Sequence, residues 1–188
     1  MTSIMIVGVG GQGTLLASRI IGHLLVEMGY DVKVSEVHGM SQRGGSVVTY
    51  VKYGDKINSP VVDLDSADFI LAFEELEAYR YLPYLKKDGM LIVNTQNMNP
   101  MPVITGKADY PKEIIEKIQE QKVNILPVDA LELAEQAGNV KAVNVVLIGK
   151  LAKRMDIAKD KWLDAVKKCV PAKFLEVNLK AFEKGYQE

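Results

Sequence analysis

The sequence predicts an α/β fold, a three-layer α/β/α sandwich whose central sheet is mostly parallel but mixed. Three observations lead to this prediction. Short apolar segments alternate with segments of helical periodicity along the chain. A glycine-rich turn lies at the first strand-to-helix junction. The 188 residues, 48% of them hydrophobic, suit one domain that buries roughly two-thirds of its unfolded surface, and are too few for two full domains. Residues 1–188 are therefore predicted to form a single domain.

The first three predicted elements form a βαβ unit. Residues 3–7 are an apolar, β-branched run that stops at a glycine, which favours a buried strand. Residues 12–28 carry apolar side chains at helical spacing, and Gly29 follows where a helix C-terminus favours glycine. Residues 31–37 predict the second strand. The unit is Rossmann-like, and its crossover is predicted to be right-handed.

A predicted hairpin makes the sheet mixed. Residues 38–45 are polar and glycine-rich, which is typical of a loop. Residues 46–53 and 56–62 flank a Gly-Asp pair and are predicted to be the two arms of the hairpin.

The remaining elements continue the alternation. Strands are predicted at 68–73, 89–94 and 123–126, and a helix runs from the first of them to about Tyr84. Further helices are predicted at 112–121, 129–136, 141–155, 159–169 and 172–184. Residues 94–110 form a long connection, either a lid or partner-contact loop or a plain surface connection.

Composition and charge exclude several classes of function. Lys plus Arg is 23 and Asp plus Glu is 24, which argues against a dedicated nucleic-acid binder. Cys169 is the single cysteine, so neither a disulfide framework nor a four-thiolate iron–sulfur or zinc site can form within the chain. No apolar run reaches the roughly 18 residues of a membrane span. A reducing, cytoplasmic compartment is expected, and no metal site is predicted.

The glycine-rich turn is a candidate phosphate site. It satisfies G-x-G-x-x-G between a predicted strand and a predicted helix, the context that the motif requires. Glycines let backbone N–H groups approach a phosphate, and the helix N-terminus adds partial positive charge. The predicted cofactor-binding residues of this turn are Gly8, Gly10, Gly11, Gln12 and Gly13. The motif does not choose between NAD, FAD, coenzyme A and a turn that binds nothing; for a dinucleotide, Glu36 is placed to be the ribose-binding acid.

A second loop follows the second predicted strand and is expected at the same edge of the sheet. Arg43 can bind phosphate or carboxylate in a fork geometry, and its neighbours add donors. The predicted binding residues of this loop are Ser41, Gln42, Arg43, Gly44 and Gly45. His38 is a candidate for proton transfer, with hydrogen bonding or packing as its alternative role. The alternative for the whole loop is a solvated surface segment.

Other reactive residue types have structural interpretations. Glu74, Glu75 and Glu77 lie where the macrodipole of a helix favours acids, which is a simpler account than acid–base catalysis. Cys169 has no evident neighbouring base and is interpreted as a small hydrophobe. The tyrosines at 79, 81 and 84 belong either to an interface or to the core.

The two glycine loops, taken in order, resemble a known family. G-V-G-G-Q-G from residue 8 and E-V-H-G-M-S-Q-R-G-G from residue 36 are similar to the gamma (domain III) component of the 2-oxoacid:ferredoxin oxidoreductases, most of all to its indolepyruvate-type form. N-V-K-A-V-N-V-V-L-I-G, residues 139–149, is similar to the buried late helix of that family, in which Asn144 is expected to brace one of the loops. The resemblance spans nearly the whole chain.

The resemblance implies a subunit of an oxidoreductase that is not active alone. The reaction would be the oxidative decarboxylation of an aryl pyruvate with coenzyme A, with two electrons passed to ferredoxin. It implies that both loops help to accommodate coenzyme A, whereas thiamine diphosphate, Mg²⁺ and the iron–sulfur clusters lie in a large partner subunit. One cysteine and the absence of the thiamine-binding G-D-G…N pattern agree with that division. A homodimer is a further expectation; nucleic acid and membrane are not expected partners.

Two alternatives of other classes stay open at this point. One is a free-standing NAD(P)-dependent oxidoreductase that uses the first glycine loop and Glu36. The other is a regulatory nucleotide-binding module without chemistry of its own.

Overall fold

A six-stranded mixed sheet organises the chain. The computed structural model describes residues 1–39 and 44–187, and within them the strands are β1 (Thr2–Val9), β2 (Asp31–His38), β3 (Ser46–Gly54), β4 (Ala67–Ala72), β5 (Leu85–Asn94) and β6 (Asn124–Val128). Their order across the sheet is β2-β3-β1-β4-β5-β6. The strands β1, β4, β5 and β6 pair in parallel, whereas β3 pairs antiparallel with both β1 and β2.

Helices cover both faces of this sheet, as predicted. In the described residues they are α1 (Thr14–Glu27), α2 (Glu75–Tyr81), α3 (Met101–Ile104), α4 (Ile114–Glu120), α5 (Ala130–Ala137), α6 (Val143–Ala152), α7 (Lys159–Cys169) and α8 (Leu175–Gln187). One core cluster joins α1 and α5–α8 to one face, and a second joins α2 and α4 to the other. Alternate residues of β1 enter the two cores, Ile4 and Ile6 on one side and Met5 and Val7 on the other, as the period of a strand requires.

The predicted hairpin is wrong, although the sheet is mixed as expected. Residues 56–62 form no strand, and residues 47–54 of β3 pair with the whole length of the preceding strand β2. Pro60 lacks the N–H that a sheet ladder needs. Ile57 buries its side chain and donates its N–H to a carboxylate oxygen of Asp31 at 2.8 Å, so the segment packs as a loop against the start of β2.

The first βαβ unit is split by the same rearrangement. The strands β1 and β2 run in the same direction, but β3 lies between them. The C-terminal ends of β1 and β2 still meet one edge of the sheet. They are two strand spacings apart, roughly 10 Å, instead of one.

A close crossing of α6 and α8 fixes the C-terminal half. Every residue of α6 is buried. A Cβ atom added at Gly149 would lie 2.9 Å from the Tyr186 backbone nitrogen, and one added at Gly185 would overlap the Val146 carbonyl oxygen. The two backbones therefore touch where both helices carry glycine.

No helix in residues 1–39 and 44–187 is long and apolar enough to cross a bilayer.

Candidate functional site

The two glycine-rich loops meet at the sheet edge where β1 and β2 end. Gly10 donates its N–H to the Gly45 carbonyl at 2.9 Å, and Gly44 donates its N–H to the Gly10 carbonyl at 3.4 Å. These bonds extend the β1–β3 ladder beyond its last pair, Val9 with Ser46. The two loops, which were expected to face each other, are therefore joined by backbone hydrogen bonds where they leave the sheet. Three predicted binding residues of the second loop, Ser41, Gln42 and Arg43, lie outside the described residues, as does Met40.

A cavity of about 380 Å³ opens beside this junction. Gly10, Gly11 and Gly13 form one side of it together with the first residues of α1, and Glu36 and His38 form the other. Because the first N–H groups of an α-helix have no acceptor within the helix, the α1 side offers donors to an anion. The Glu36 side carries a carboxylate, which repels an anion, so the two sides of the cavity differ in charge.

The first loop requires glycine at some positions for backbone conformation and at others for close packing. Gly11 has φ 102° and Gly13 has φ 86°, a region that other residues rarely adopt. A Cβ at Gly11 would meet no atom within 4 Å, so this position is open toward the cavity. A Cβ at Gly13 would lie 3.2 Å from Cγ of Asn144, and one at Gly8 would lie 3.0 Å from Cβ of Phe73. Gly11 thus faces space that a ligand can occupy, whereas Gly8 and Gly13 allow close packing.

Gln12 braces the loop from inside. Its Oε1 accepts the Val9 N–H at 2.8 Å, and its Nε2 donates to the Phe73 carbonyl at 3.1 Å. Both polar atoms of the Gln12 side chain therefore have partners within the protein. The prediction that Gln12 binds a cofactor did not include this structural role. The sequence carried no sign of the Phe73 contact, because the two residues are 61 positions apart.

Asn144 braces the other end of the loop, as expected. Its Nδ2 donates to the Gly13 carbonyl at 3.3 Å, and its Oδ1 accepts the Val145 N–H at 2.9 Å. The late helix α6 therefore holds the start of α1 in place.

Glu36 lies in the cavity but not where a dinucleotide site needs it. In that arrangement the acid ends the strand next to β1 and reaches the ribose of a nucleotide whose phosphates sit on the glycine turn. Here β3 separates the two strands, and the Glu36 carboxylate accepts a hydrogen bond from the Thr49 hydroxyl at 3.2 Å. The NAD alternative therefore lacks its geometric support.

His38 is exposed at the end of β2. Its Nδ1 lies 3.1 Å from the Gly39 carbonyl oxygen. Its ring is thus held by its own loop, and no acid or base partner contacts it among the described residues.

Glu74 is buried and organises the connection after β5. It is 1% exposed. Its carboxylate accepts the Glu77 N–H at 2.9 Å, which caps α2, and the Met98 N–H at 3.1 Å, and it also accepts the Tyr110 hydroxyl. Burial, together with the Glu74 carboxylate, raises the pKa of Tyr110 well above its ordinary value. The acid at this position is structural, as predicted, and it clamps the 95–110 connection to α2.

Glu77 is also buried, at 4% exposure. Its carboxylate accepts the Ser46 hydroxyl and lies 3.2 Å from Nε of Arg80. Burial raises its pKa, although the Ser46 and Arg80 contacts oppose that shift. This contact between α2 and the start of β3 was not predicted, since the residues are 31 positions apart.

The other reactive groups have structural settings. Cys169 is half-buried with its Sγ 3.8 Å from the Arg19 carbonyl, and burial raises the pKa of the thiol, which disfavours a reactive thiolate. The rings of Tyr81 and Tyr84 pack at 5.8 Å while Tyr79 is exposed. In the part of the chain that the structure describes, no group of three or more His, Cys, Asp or Glu side chains is placed to hold a metal ion.

Gly11 and Gly13, the two glycines of the first loop with positive φ, should differ in how much stability an alanine substitution costs. Gly13→Ala adds a Cβ at positive φ and against Asn144, so we expect a loss of about 3 kcal/mol in the free energy of unfolding. Gly11→Ala adds backbone strain alone, and we expect a loss of about 1–2 kcal/mol. Urea denaturation of both variants measures the difference. Equal losses would contradict the packing role given to Gly13.

Comparison with known proteins gives one consistent family. The family model described as pyruvate ferredoxin/flavodoxin oxidoreductase matches residues 3–188. The chain is 44% identical over 188 residues to the indolepyruvate oxidoreductase subunit IorB of Pyrococcus horikoshii, covering 97% of this chain and 93% of the relative.

Two solved structures have the same fold. The pyruvate oxidoreductase subunit PORC of Thermotoga maritima matches with a TM-score of 0.76 at 21% identity, over 100% of this chain and 96% of that one. The 2-oxoglutarate:ferredoxin oxidoreductase of Magnetococcus marinus, solved with 2-oxoglutarate, coenzyme A and succinyl-CoA bound, matches with a TM-score of 0.71 at 19% identity. That match covers 98% of this chain and 30% of the other, so this fold also occurs as one part of a longer polypeptide.

Proposed function

The chain belongs to the pyruvate ferredoxin/flavodoxin oxidoreductase family, and from this membership we propose that it is the small subunit of an indolepyruvate-type 2-oxoacid:ferredoxin oxidoreductase. The observation that carries the proposal is the 44% identity to an indolepyruvate oxidoreductase subunit over nearly the full length of both proteins. The proposed reaction converts an aryl pyruvate, coenzyme A and two oxidised ferredoxins into an aryl acetyl-CoA, carbon dioxide, a proton and two reduced ferredoxins.

The redox cofactors of this reaction belong to a large partner subunit. A four-iron cluster needs about four thiolates, and this chain has one cysteine, so its residues do not fit such a cluster. Thiamine diphosphate with its Mg²⁺ is assigned to the same partner. Ferredoxin is then reached through the complex rather than by this chain alone. A reducing cytoplasm suits both the single free thiol and a ferredoxin acceptor.

Coenzyme A is the ligand that we assign to the cavity between the two loops. The open Cβ side of Gly11 and the N-terminus of α1 suit a diphosphate. Gly44 and Gly45 bring the second loop against Gly10, and its proposed binding residues Ser41, Gln42 and Arg43 follow from the sequence.

Affinity purification from the native cells tests the assembly. A tagged copy of the chain should bring down one large subunit in stoichiometric amount, and the complex should contain iron, acid-labile sulfide and thiamine. The isolated chain, measured by light scattering, tests the expected homodimer. Recovery of the chain without a cofactor-bearing subunit would count against the proposal.

Arg43→Ala tests the assignment of coenzyme A. Loss of one charged hydrogen bond costs about 1.5–3 kcal/mol, so we expect the KM for coenzyme A of the complex to rise about 10- to 100-fold, with the KM for the oxoacid little changed. Arg19→Ala, which removes an exposed arginine of α1, is the matched control. An unchanged KM for coenzyme A in the Arg43 variant would remove Arg43 from the site.

A further inference from the structure

A buried carboxylate on α2 reaches over the end of β1 to the start of β3. The strand order places β1 between β3 and β4, and α2 follows β4. Glu77 on α2 nevertheless contacts the Ser46 hydroxyl, at the first residue of β3. The contact therefore links α2, which follows β4, to β3, a strand that is not a neighbour of β4 in the sheet.

The residue that Glu77 holds sits directly behind the candidate binding loop. Ser46 follows Gly44 and Gly45, which exchange backbone hydrogen bonds with Gly10 of the first glycine loop. A shift of Ser46 would move the Gly45 carbonyl that accepts the Gly10 N–H. The position of Ser46 thus affects where Gly45 meets Gly10, which is one of the residues that line the cavity.

Glu77 is an expensive residue to bury for packing alone. A carboxylate loses hydration in the core, and a well-packed apolar side chain avoids that cost. The groups that face it are Ser46, Arg80 and the neighbouring acid Glu74. Ser46 and Arg80 favour the charged form of the Glu77 carboxylate, whereas Glu74 opposes it. A carboxylate can fix a hydroxyl in direction as well as distance, which an alkyl group cannot do.

We propose that Glu77 is a positioning residue for the coenzyme A site: through the Ser46 hydroxyl it holds Gly44 and Gly45 at the distance from Gly10 that the ligand requires. The inference rests on the proposed function for the identity of the ligand. The mechanical part of the inference, that Glu77 acts through Ser46 on the Gly10–Gly45 contact, depends only on contacts between described residues.

The mechanical part is tested on the isolated chain by amide hydrogen exchange. The N–H groups of Gly10 and Gly44 report directly on the loop contact. In Glu77→Ala we expect both to exchange about tenfold faster, as for the loss of one hydrogen bond, while amides of β5 keep their rates. Glu77→Gln retains an acceptor for the Ser46 hydroxyl and should restore most of the protection.

Ser46→Ala is the second variant, because it removes the same contact and leaves the Glu77–Arg80 pair intact. It should reproduce the faster exchange, and the double variant should add little to it, since both act through one bond. Glu176→Ala removes an exposed carboxylate paired with Lys180 on α8 and is the control. Unchanged exchange at Gly10 and Gly44 in Ser46→Ala would overturn the inference, whatever the complex catalyses.

The functional part is tested on the assembled complex. Glu77→Ala and Ser46→Ala should each raise the KM for coenzyme A about tenfold, with kcat at saturating coenzyme A close to that of the parent. Faster exchange with an unchanged KM for coenzyme A would overturn the positioning role. A complex that never uses coenzyme A would instead refute the proposed function and leave the exchange result as it stands.

Discussion

Gly185→Ala is expected to cost about 3–4 kcal/mol of the free energy of unfolding, above the about 1–3 kcal/mol that is typical of overpacking. The added Cβ would overlap the Val146 carbonyl oxygen, which is backbone and cannot rotate away. Relief requires α8 to separate from the fully buried helix α6. Since a domain has only about 5–15 kcal/mol of stability, such a loss is visible as a large drop in the midpoint of urea denaturation.

Gly22→Ala is the matched control for this prediction. Gly22 also lies in a helix, but its added Cβ would lie 3.6 Å from Cγ2 of Val34, which is ordinary contact. Alanine favours the helix by roughly 0.5–1 kcal/mol over glycine, so the control should match or exceed the parent in stability. If Gly185→Ala unfolded at the same urea concentration as Gly22→Ala, the close crossing of α6 and α8 would be wrong.

Glu74→Ala is the second substitution with a large expected effect, a loss of about 3 kcal/mol. It removes the side-chain cap of α2 and leaves the Met98 N–H and the Tyr110 hydroxyl without their acceptor. A lost cap costs about 0.5–2 kcal/mol, and the Met98 N–H and the Tyr110 hydroxyl, which are only partly buried, should each cost near the lower end of the about 1–3 kcal/mol of a buried unsatisfied group. The 95–110 connection should also become more accessible to protease, because two of its anchors are gone.

Asp129→Ala is the control that distinguishes the loss of a helix cap from the loss of the Glu74 contacts to Met98 and Tyr110. Asp129 caps α5 through one exposed bond to the Glu132 N–H at 2.9 Å, and its loss should cost about 1 kcal/mol. Denaturation curves of both variants, with limited proteolysis of the folded proteins, give the comparison. A Glu74 variant no less stable than the Asp129 variant, with the connection still protected, would show that Glu74 only caps a helix.

Local patterns were enough to predict the layers and the meeting of the two glycine loops. The run ending at Gly8 and the helical spacing after Gln12 are local signals, and both elements formed as expected. The bracing role of Asn144 came from the family resemblance. The side-chain contact itself spans 131 positions.

Features that depend on distant pairing escaped sequence reasoning. The Gly-Asp pair at the end of β3 predicts a hairpin turn, but β3 pairs with β2 and not with the following segment, in which Pro60 lacks a ladder N–H. Gly149 and Gly185 carry no signal until the crossing of their helices is known. The contact of Glu77 with Ser46 likewise arises from the strand order, which local periodicity does not encode.

A subtraction experiment on the purified complex tests directly whether this chain is a required subunit of the oxidoreductase. Ferredoxin reduction is followed with indolepyruvate and coenzyme A for the complex, for the large subunit alone and for this chain alone. We expect reduced ferredoxin and an aryl acetyl-CoA product only when both subunits are present, with activity restored by adding this chain back. Full activity of the large subunit without this chain would contradict this expectation.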